Sequence, residues 1–203
     1  MDKKELGHIL LAYFLLSFAL AAALGRGIWL SSPFSAEAWA YTFKVFLLSL
    51  PTLGIAVIVH ELAHRTVAKA YGIEATFKAW IFGLALTIII ATMFGIIFAI
   101  PGGVVIAGGT AAQMGMITLA GPMSNLALIP VFWAVKSAGF VAVGALGMFL
   151  CGVLAFLNLI PINPLDGRKV LAWNDKVWLF AFVLSSIAFY FTIGELGALV
   201  GYI

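Results

Sequence analysis

Charged residues are scarce in this sequence. Of its 203 residues, 9% are Asp, Glu, Lys or Arg, 64% are apolar, and the mean hydropathy is +1.16. A soluble domain carries roughly 25% charged residues, so this chain cannot cover a water-facing surface. The composition excludes a DNA-binding, collagen-like or disordered protein. It predicts an all-α polytopic membrane protein with a single transmembrane domain over residues 1–203.

Cysteine is nearly absent as well. The single Cys151 excludes an intrachain disulfide and a metal cluster built on several cysteines, and the apolar run around it favours a small core residue. The net charge of +3 does not indicate a nucleic-acid partner, because excess Lys and Arg in a membrane protein usually reflect loop orientation.

Six long apolar runs predict about five to six transmembrane helices. They cover about residues 9–25, 42–64, 79–100, 115–135, 140–160 and 177–202. The first run follows two lysines, as in a secretory signal peptide. Its length of about 17 residues approaches that of a membrane span, which favours an uncleaved helix.

The positions of Lys and Arg predict the topology. If the first two runs, and the fourth and fifth runs, form out-and-back pairs, eight basic residues lie on one side of the membrane and three on the other. The eight are Lys3, Lys4, Arg65, Lys69, Lys78, Arg168, Lys169 and Lys176, and the three are Arg26, Lys44 and Lys136. The positive-inside rule makes the first group and the N-terminus cytoplasmic. We expect the protein to reside in the cell membrane.

This topology requires residues 79–112 to cross the membrane an even number of times. The apolar run 79–100 is therefore predicted to be re-entrant or interfacial, unless the glycine-rich segment after it returns the chain through the protein interior. Residues 103–107 of that segment are predicted to form a short strand, because Val104, Val105 and Ile106 lie between glycine pairs. A flexible glycine linker is the alternative.

The second run ends in a metal-binding pattern, His60-Glu61-Leu62-Ala63-His64. Histidines at positions i and i+4 share one helix face, about 6 Å apart along the axis, so both imidazoles can bind one metal ion. Glu61 lies beside them, where it can reach a water on that metal, as in zinc metalloproteases. A polar cluster at a helix exit is the structural alternative, but three ionisable residues at the end of an apolar span favour a functional site.

A catalytic zinc usually takes three protein ligands, and the remaining His8 has no partner motif. A carboxylate is therefore expected. Asp2, Glu5, Glu37, Glu74 and Asp175 fall in predicted loops or termini, which leaves two candidates. Asp166 follows Pro161 and Pro164, which break the fifth helix near the depth of His64. Glu195 falls near the outer end of the last helix, too far away in depth.

Three motifs in this order resemble the site-2 protease family of intramembrane zinc metalloproteases, over about residues 42–170. They are His60-Glu61-Leu62-Ala63-His64, Gly121-Pro122-Met123-Ser124-Asn125 and Asn163-Pro164-Leu165-Asp166-Gly167. The resemblance implies a catalytic core there, with one zinc ion per chain held by His60, His64 and Asp166. It also implies that Glu61 is the catalytic acid and base and that Asn125 lies near the active site.

Asn125 has two possible roles in this interpretation. Its amide could donate to a developing oxyanion or to the substrate backbone, or it could join two helices by a hydrogen bond. Asn163 and Asn158 are candidates for orienting Asp166.

The predicted function is that of a zinc-dependent metalloendopeptidase in regulated intramembrane proteolysis. It would cleave a transmembrane protein substrate within or near its membrane segment, with the active site toward the cytoplasm, while the strand at 103–107 holds the unwound substrate. A zinc or ion transporter needs polar residues in several spans, whereas here they cluster at one depth. A catalytically silent membrane chaperone would be expected to lack Glu61 or a ligand.

Overall fold

The computed structural model describes residues 1–96 and 102–199. The helices in this part of the chain are α1 (Lys3–Ser31), α2 (Ala36–Ser49), α3 (Ile55–Ala70), α4 (Ile81–Phe94), α5 (Ala111–Ser137), α6 (Val141–Asn158), α7 (Asp166–Trp173), α8 (Asp175–Ile193) and α9 (Leu196–Leu199). A π-helical turn, Leu50–Gly54, joins α2 to α3, at the place where the sequence has Pro51 and Gly54. The strands β1 (Ala75–Ala79) and β2 (Gly102–Ile106) pair in a small sheet.

Within the described residues, five helical segments are long and apolar enough to cross a membrane. They are Lys3–Ser31, Ala36–Ala70, Ala111–Ser137, Val141–Asn158 and Asp175–Ile193. The second of these combines α2, the π-helical turn and α3. The prediction of an all-α polytopic membrane protein with about five to six spans and a short β element is confirmed.

Helix α4 lies inside the segment that the charge distribution singles out. It has 14 residues, so its length is roughly 21 Å, against a hydrocarbon core about 30 Å thick. Gly95 ends the helix with a φ of 70°, a conformation that favours glycine. The short length of α4 fits the interpretation of residues 79–100 as re-entrant. Residues 97–100 of this segment lie outside the described part of the chain.

The predicted strand is present, one residue earlier than expected. Ala107 N–H donates to the carbonyl oxygen of Glu74 at 3.0 Å, and the backbone of Gly102 lies against Lys78 and Ala79. Because the later residue of one strand meets the earlier residue of the other, β1 and β2 run antiparallel.

The register of the sheet decides which amides are free to bind other groups. Backbone N–H groups in an antiparallel pair point alternately toward the partner strand and away from it. Since Ala107 opposes Glu74, the amides of Val104 and Ile106 point to the outer edge of β2. The amides of Phe77 and Ala79 likewise point to the outer edge of β1.

One compact unit consists of residues 1–55 and the described part of 77–103. In it, α1 packs against α2, the π-helical turn and α4. Small residues allow this close approach, as in the buried cluster of Ala19, Ala23 and Ala91. Such packing of small side chains is typical of helices in a membrane.

The second unit consists of residues 56–76 and the described part of 104–202. In it, α5 packs against α6 and α7, and α8 packs against α6 and α7. Its core contains Ala56, Phe132, Met148 and Cys151, so Cys151 is a buried core residue, as the sequence predicts. The prediction of one domain over residues 1–203 stays a prediction.

Candidate metal centre

Helix α3 presents its two histidines on one face, as the spacing predicts. His60 and His64 are 6% and 7% exposed. Their ring centroids are 4.6 Å apart and the ring planes are nearly perpendicular, at 87°. Two imidazoles are therefore held close together in a buried position.

Asp166 completes the cluster from a distant part of the sequence. It is the first residue of α7, after the break that follows α6. Its Oδ2 atom lies 3.1 Å from Nε2 of His60 and 3.2 Å from Nε2 of His64. Ligand atoms of all three side chains lie within 4.8 Å of one another, close enough to bind one metal ion.

The position of Asp166 depends on close packing at the end of α6. A Cβ on Gly167 would overlap the backbone of Leu159 and Ile160, so only glycine lets α7 start this close. Trp178 donates from Nε1 to the carbonyl oxygen of Leu159 at 2.9 Å and ties α8 to the same point. The φ of Gly167 is not positive, so the small size of glycine, and not its backbone freedom, explains its presence here.

The backbone of α5 fixes the orientation of His64. Nδ1 of His64 lies 2.7 Å from the carbonyl oxygen of Ile117. A carbonyl oxygen only accepts hydrogen bonds, so Nδ1 carries a proton, and Nε2 is left as the nitrogen that can bind a metal ion. That atom faces Asp166.

Asn125 contacts the Nδ1 side of the His60 ring, opposite the Nε2 atom that faces Asp166. Its Nδ2 lies 3.1 Å from Nδ1 of His60, the side chain is completely buried, and its Oδ1 has no hydrogen-bond partner among the described residues. The structure therefore brings Asn125 into the cluster, in contact with a predicted ligand.

Gly121 lies directly against both imidazoles. A Cβ at this position would overlap Nε2 of His64 and Nε2 of His60. The backbone of α5 thus packs directly against the two Nε2 atoms, and a side chain at position 121 would displace both imidazole rings. Glycine in the Gly121-Pro122 pair is explained by this contact.

Glu61 lies next to the cluster and is partly exposed. It is within electrostatic reach of His60, His64 and Asp166, and the backbone N–H of Val104 lies close enough to interact favourably with its carboxylate. The outer edge of β2 therefore lies near the carboxylate beside the histidines.

The two histidines also control the ionisation of Asp166. Burial alone would raise the pKa of its carboxyl group, but hydrogen bonds with His60 and His64 outweigh this effect and lower the pKa of Asp166. The side chain is therefore a carboxylate, the form that a metal ion binds.

The other candidates from the sequence lie elsewhere. Glu195 pairs with Lys136, and the side-chain amide of Asn158 donates to the carbonyl oxygen of Leu154 at 2.9 Å, while Asn163 is exposed. The proposed orientation of Asp166 by Asn158 and Asn163 has no support in these contacts.

Sequence reasoning missed the role of two residues of α1. Glu5 was assigned to a terminus, but it lies within α1 and is only 4% exposed. His8 has no partner motif, yet it accepts a hydrogen bond from the backbone of Ala79. Their spacing of three residues, which puts both on one helix face, was the available signal.

The chain resembles a protein of Methanocaldococcus jannaschii named "Putative zinc metalloprotease MJ0611". The two sequences are 41% identical over 145 residues, which cover 68% of this chain and 76% of the archaeal protein. No family model matches the chain, and no solved structure matches it. The similarity extends over two thirds of both proteins. The chain therefore belongs to the zinc metalloprotease family that includes this archaeal protein.

Proposed function

We propose that the protein is an intramembrane zinc metalloprotease of the site-2 type, which hydrolyses a peptide bond within or near a transmembrane segment of a membrane protein. The observation that carries this proposal is the convergence of His60, His64 and Asp166, with Glu61 beside them. The histidines lie on a helix continuous with an apolar segment of membrane-spanning length, Ala36–Ala70.

The donor set fits zinc. Two imidazoles and one carboxylate are the protein ligands of many catalytic zinc sites, in which a fourth position stays open. The backbone at Gly121 holds both Nε2 atoms in place from one side. One zinc ion per chain, bound there, would supply Lewis-acid activation of water and of the scissile carbonyl group.

Glu61 is placed to move the proton. Its carboxylate accepts a proton from the attacking water as the water oxygen bonds to the carbonyl carbon. When the carbon–nitrogen bond breaks, Glu61 gives this proton to the leaving amine nitrogen. Its partial exposure allows water and substrate to reach it.

Asn125 acts in this proposal by positioning His60. A half-turn of its amide brings Oδ1 to Nδ1 of His60, so that the ring donates from Nδ1 and keeps Nε2 for the metal. The complete burial of Asn125 and its contact with the ring support this role over an oxyanion donor, which has to reach the substrate.

The outer edge of β2 is the proposed substrate site. A transmembrane helix hides its peptide bonds in its own hydrogen bonds, so a substrate has to unwind before cleavage. An extended segment can add to a strand edge. The interaction of the Val104 amide with Glu61 supports the edge of β2 for this role, because the edge then lies near the proposed catalytic carboxylate. We propose a cell-membrane location with the N-terminus and this site toward the cytoplasm, from the charge distribution.

The test uses zinc-loaded protein in vesicles with a single-span protein substrate. Glu61→Gln is expected to bind zinc like the unaltered protein but to lose at least about 100-fold in cleavage rate, while exposed Glu37→Gln retains activity. Mass spectrometry of the products should locate the cut within or near the membrane segment.

Two outcomes would contradict the proposal. Cleavage by Glu61→Gln at the unaltered rate would mean that another group is the base. Zinc movement across the vesicle membrane without any cleavage would favour a transporter.

A further inference from the structure

Two side chains of α1 occupy the outer edge of β1. Phe77 N–H donates to Oε1 of Glu5 at 3.0 Å, and Ala79 N–H donates to Nδ1 of His8 at 3.0 Å. The register also points the amide of Ala75 outward, so these are two of the three outward amides of β1. The part of the edge at Phe77 and Ala79 is therefore occupied by side chains of the same chain.

The start of α1 sets the register of this contact. Asp2 caps the helix by accepting from the N–H of Glu5 at 2.7 Å. Glu5 and His8 are then one helical turn apart on one face, separated by a rise of about 4.5 Å. Alternate strand residues are about 6.8 Å apart, a difference that two side chains of this length can bridge.

The chemistry of the two acceptors is specific. The Glu5 side chain is buried, and buried acidic residues are rare without partners. Nδ1 of His8 accepts a hydrogen bond from the Ala79 amide, so this nitrogen carries a lone pair and the ring proton is on Nε2. Each group contributes an acceptor atom that a leucine of similar size would lack.

The two outer edges of the sheet therefore differ. An unpaired strand edge is a template for any extended chain, and β1 would present such a template without Glu5 and His8. The outer edge of β2 instead carries the Val104 amide beside Glu61.

We propose that Glu5 and His8 are specificity-determining positioning residues, which close the edge of β1 so that an extended substrate segment adds to β2. This inference rests on the proposed protease function, because closure of the β1 edge by Glu5 and His8 matters only if a substrate strand adds to the sheet. Glu5 and His8 touch no reacting group and act through the backbone of β1.

The first measurement is hydrogen exchange of the Phe77 and Ala79 amides in the zinc-loaded, full-length protein. Simultaneous Glu5→Leu and His8→Leu substitution should increase both exchange rates at least about tenfold. Glu5→Gln and His8→Asn, which keep an acceptor oxygen, should preserve the slow exchange. Zinc content should equal that of the unaltered protein in every variant, and Glu37→Leu on exposed α2 is the matched control.

The second measurement locates the substrate by disulfide crosslinking in a Cys151→Ala background. A single-span substrate with one cysteine in its cleavable segment is mixed with protein carrying either Val105→Cys on β2 or Thr76→Cys on β1. With Glu5 and His8 unchanged, crosslinking is expected through position 105 and not through position 76. Adding Glu5→Leu and His8→Leu should bring position 76 into the reaction, and Glu5→Gln with His8→Asn should not.

Three results would overturn the proposal. The first is equal exchange of the Phe77 and Ala79 amides in the unaltered protein and in the variant with Glu5→Leu and His8→Leu. The second is equal crosslinking at position 76 with and without these two substitutions. The third is cleavage of a substrate that crosslinks to neither strand, which would retain the protease function while removing the role of the sheet. Absence of cleavage by the unaltered protein would instead be the failure of the proposed function.

Discussion

Nδ1 of His64 lies 2.7 Å from the carbonyl oxygen of Ile117, on a different helix. This one contact selects the tautomer of the ring and turns Nε2 toward Asp166. Because the acceptor is a backbone atom, no substitution of the Ile117 side chain removes it. The orientation of a predicted metal ligand is therefore set by the position of α5.

Removal of any one predicted ligand should weaken zinc binding. His60→Ala, His64→Ala and Asp166→Ala should each lower zinc affinity more than about 100-fold, since loss of a residue that only orients a ligand already costs about 10- to 100-fold. Competition with a chelator measures the affinity, and His8→Ala should bind zinc like the unaltered protein. Full zinc content in Asp166→Ala would remove the aspartate from the ligand set.

Two substitutions of Asn125 separate its possible roles. Asn125→Leu removes any acceptor for Nδ1 of His60, so zinc affinity should fall about 10- to 100-fold. Asn125→Asp keeps an oxygen at this position and should keep most of the affinity and the cleavage rate. If Asp at this position kept the zinc but lowered the cleavage rate about 100-fold or more, the amide would be an oxyanion donor instead.

Gly121→Ala should weaken zinc binding even though no ligand is changed. The added methyl group would overlap both Nε2 atoms, so the imidazoles have to move. Alanine is about 1 kcal/mol better than glycine inside a helix, so reduced affinity cannot come from a weaker helix. Gly27→Ala on α1, where a Cβ would meet no neighbour, is the control, and unchanged affinity in Gly121→Ala would contradict the packing argument.

The topology can be tested with single cysteines. In a Cys151→Ala background, Lys78→Cys and Thr110→Cys should both react with a membrane-impermeant thiol reagent from the cytoplasmic side, because residues 79–112 return to the side on which they begin. The measurement uses intact cells and inverted membrane vesicles. Labelling of Thr110→Cys from outside alone would refute the charge-based topology.

The sequence determined the helical membrane fold and the central pair of histidines. Apolar runs of spanning length have few alternatives to helices in a membrane, and helix periodicity alone puts His60 and His64 on one face. Elimination among the eight acidic residues left Asp166 and Glu195, and the expected depth in the membrane favoured Asp166. The structure places Asp166 beside both histidines. Its action as a zinc ligand stays a prediction.

Only the tertiary structure decided which atoms orient the cluster and close the sheet. The Ile117 carbonyl, the Gly121 backbone and the Phe77 and Ala79 amides are main-chain groups, which every sequence contains, so no residue pattern marks them. The hydrogen bond from His64 joins residues 53 positions apart, and the bond to Glu5 joins residues 72 positions apart. Such distant contacts form only when packing brings the helices and strands together, because local propensity carries no information about them.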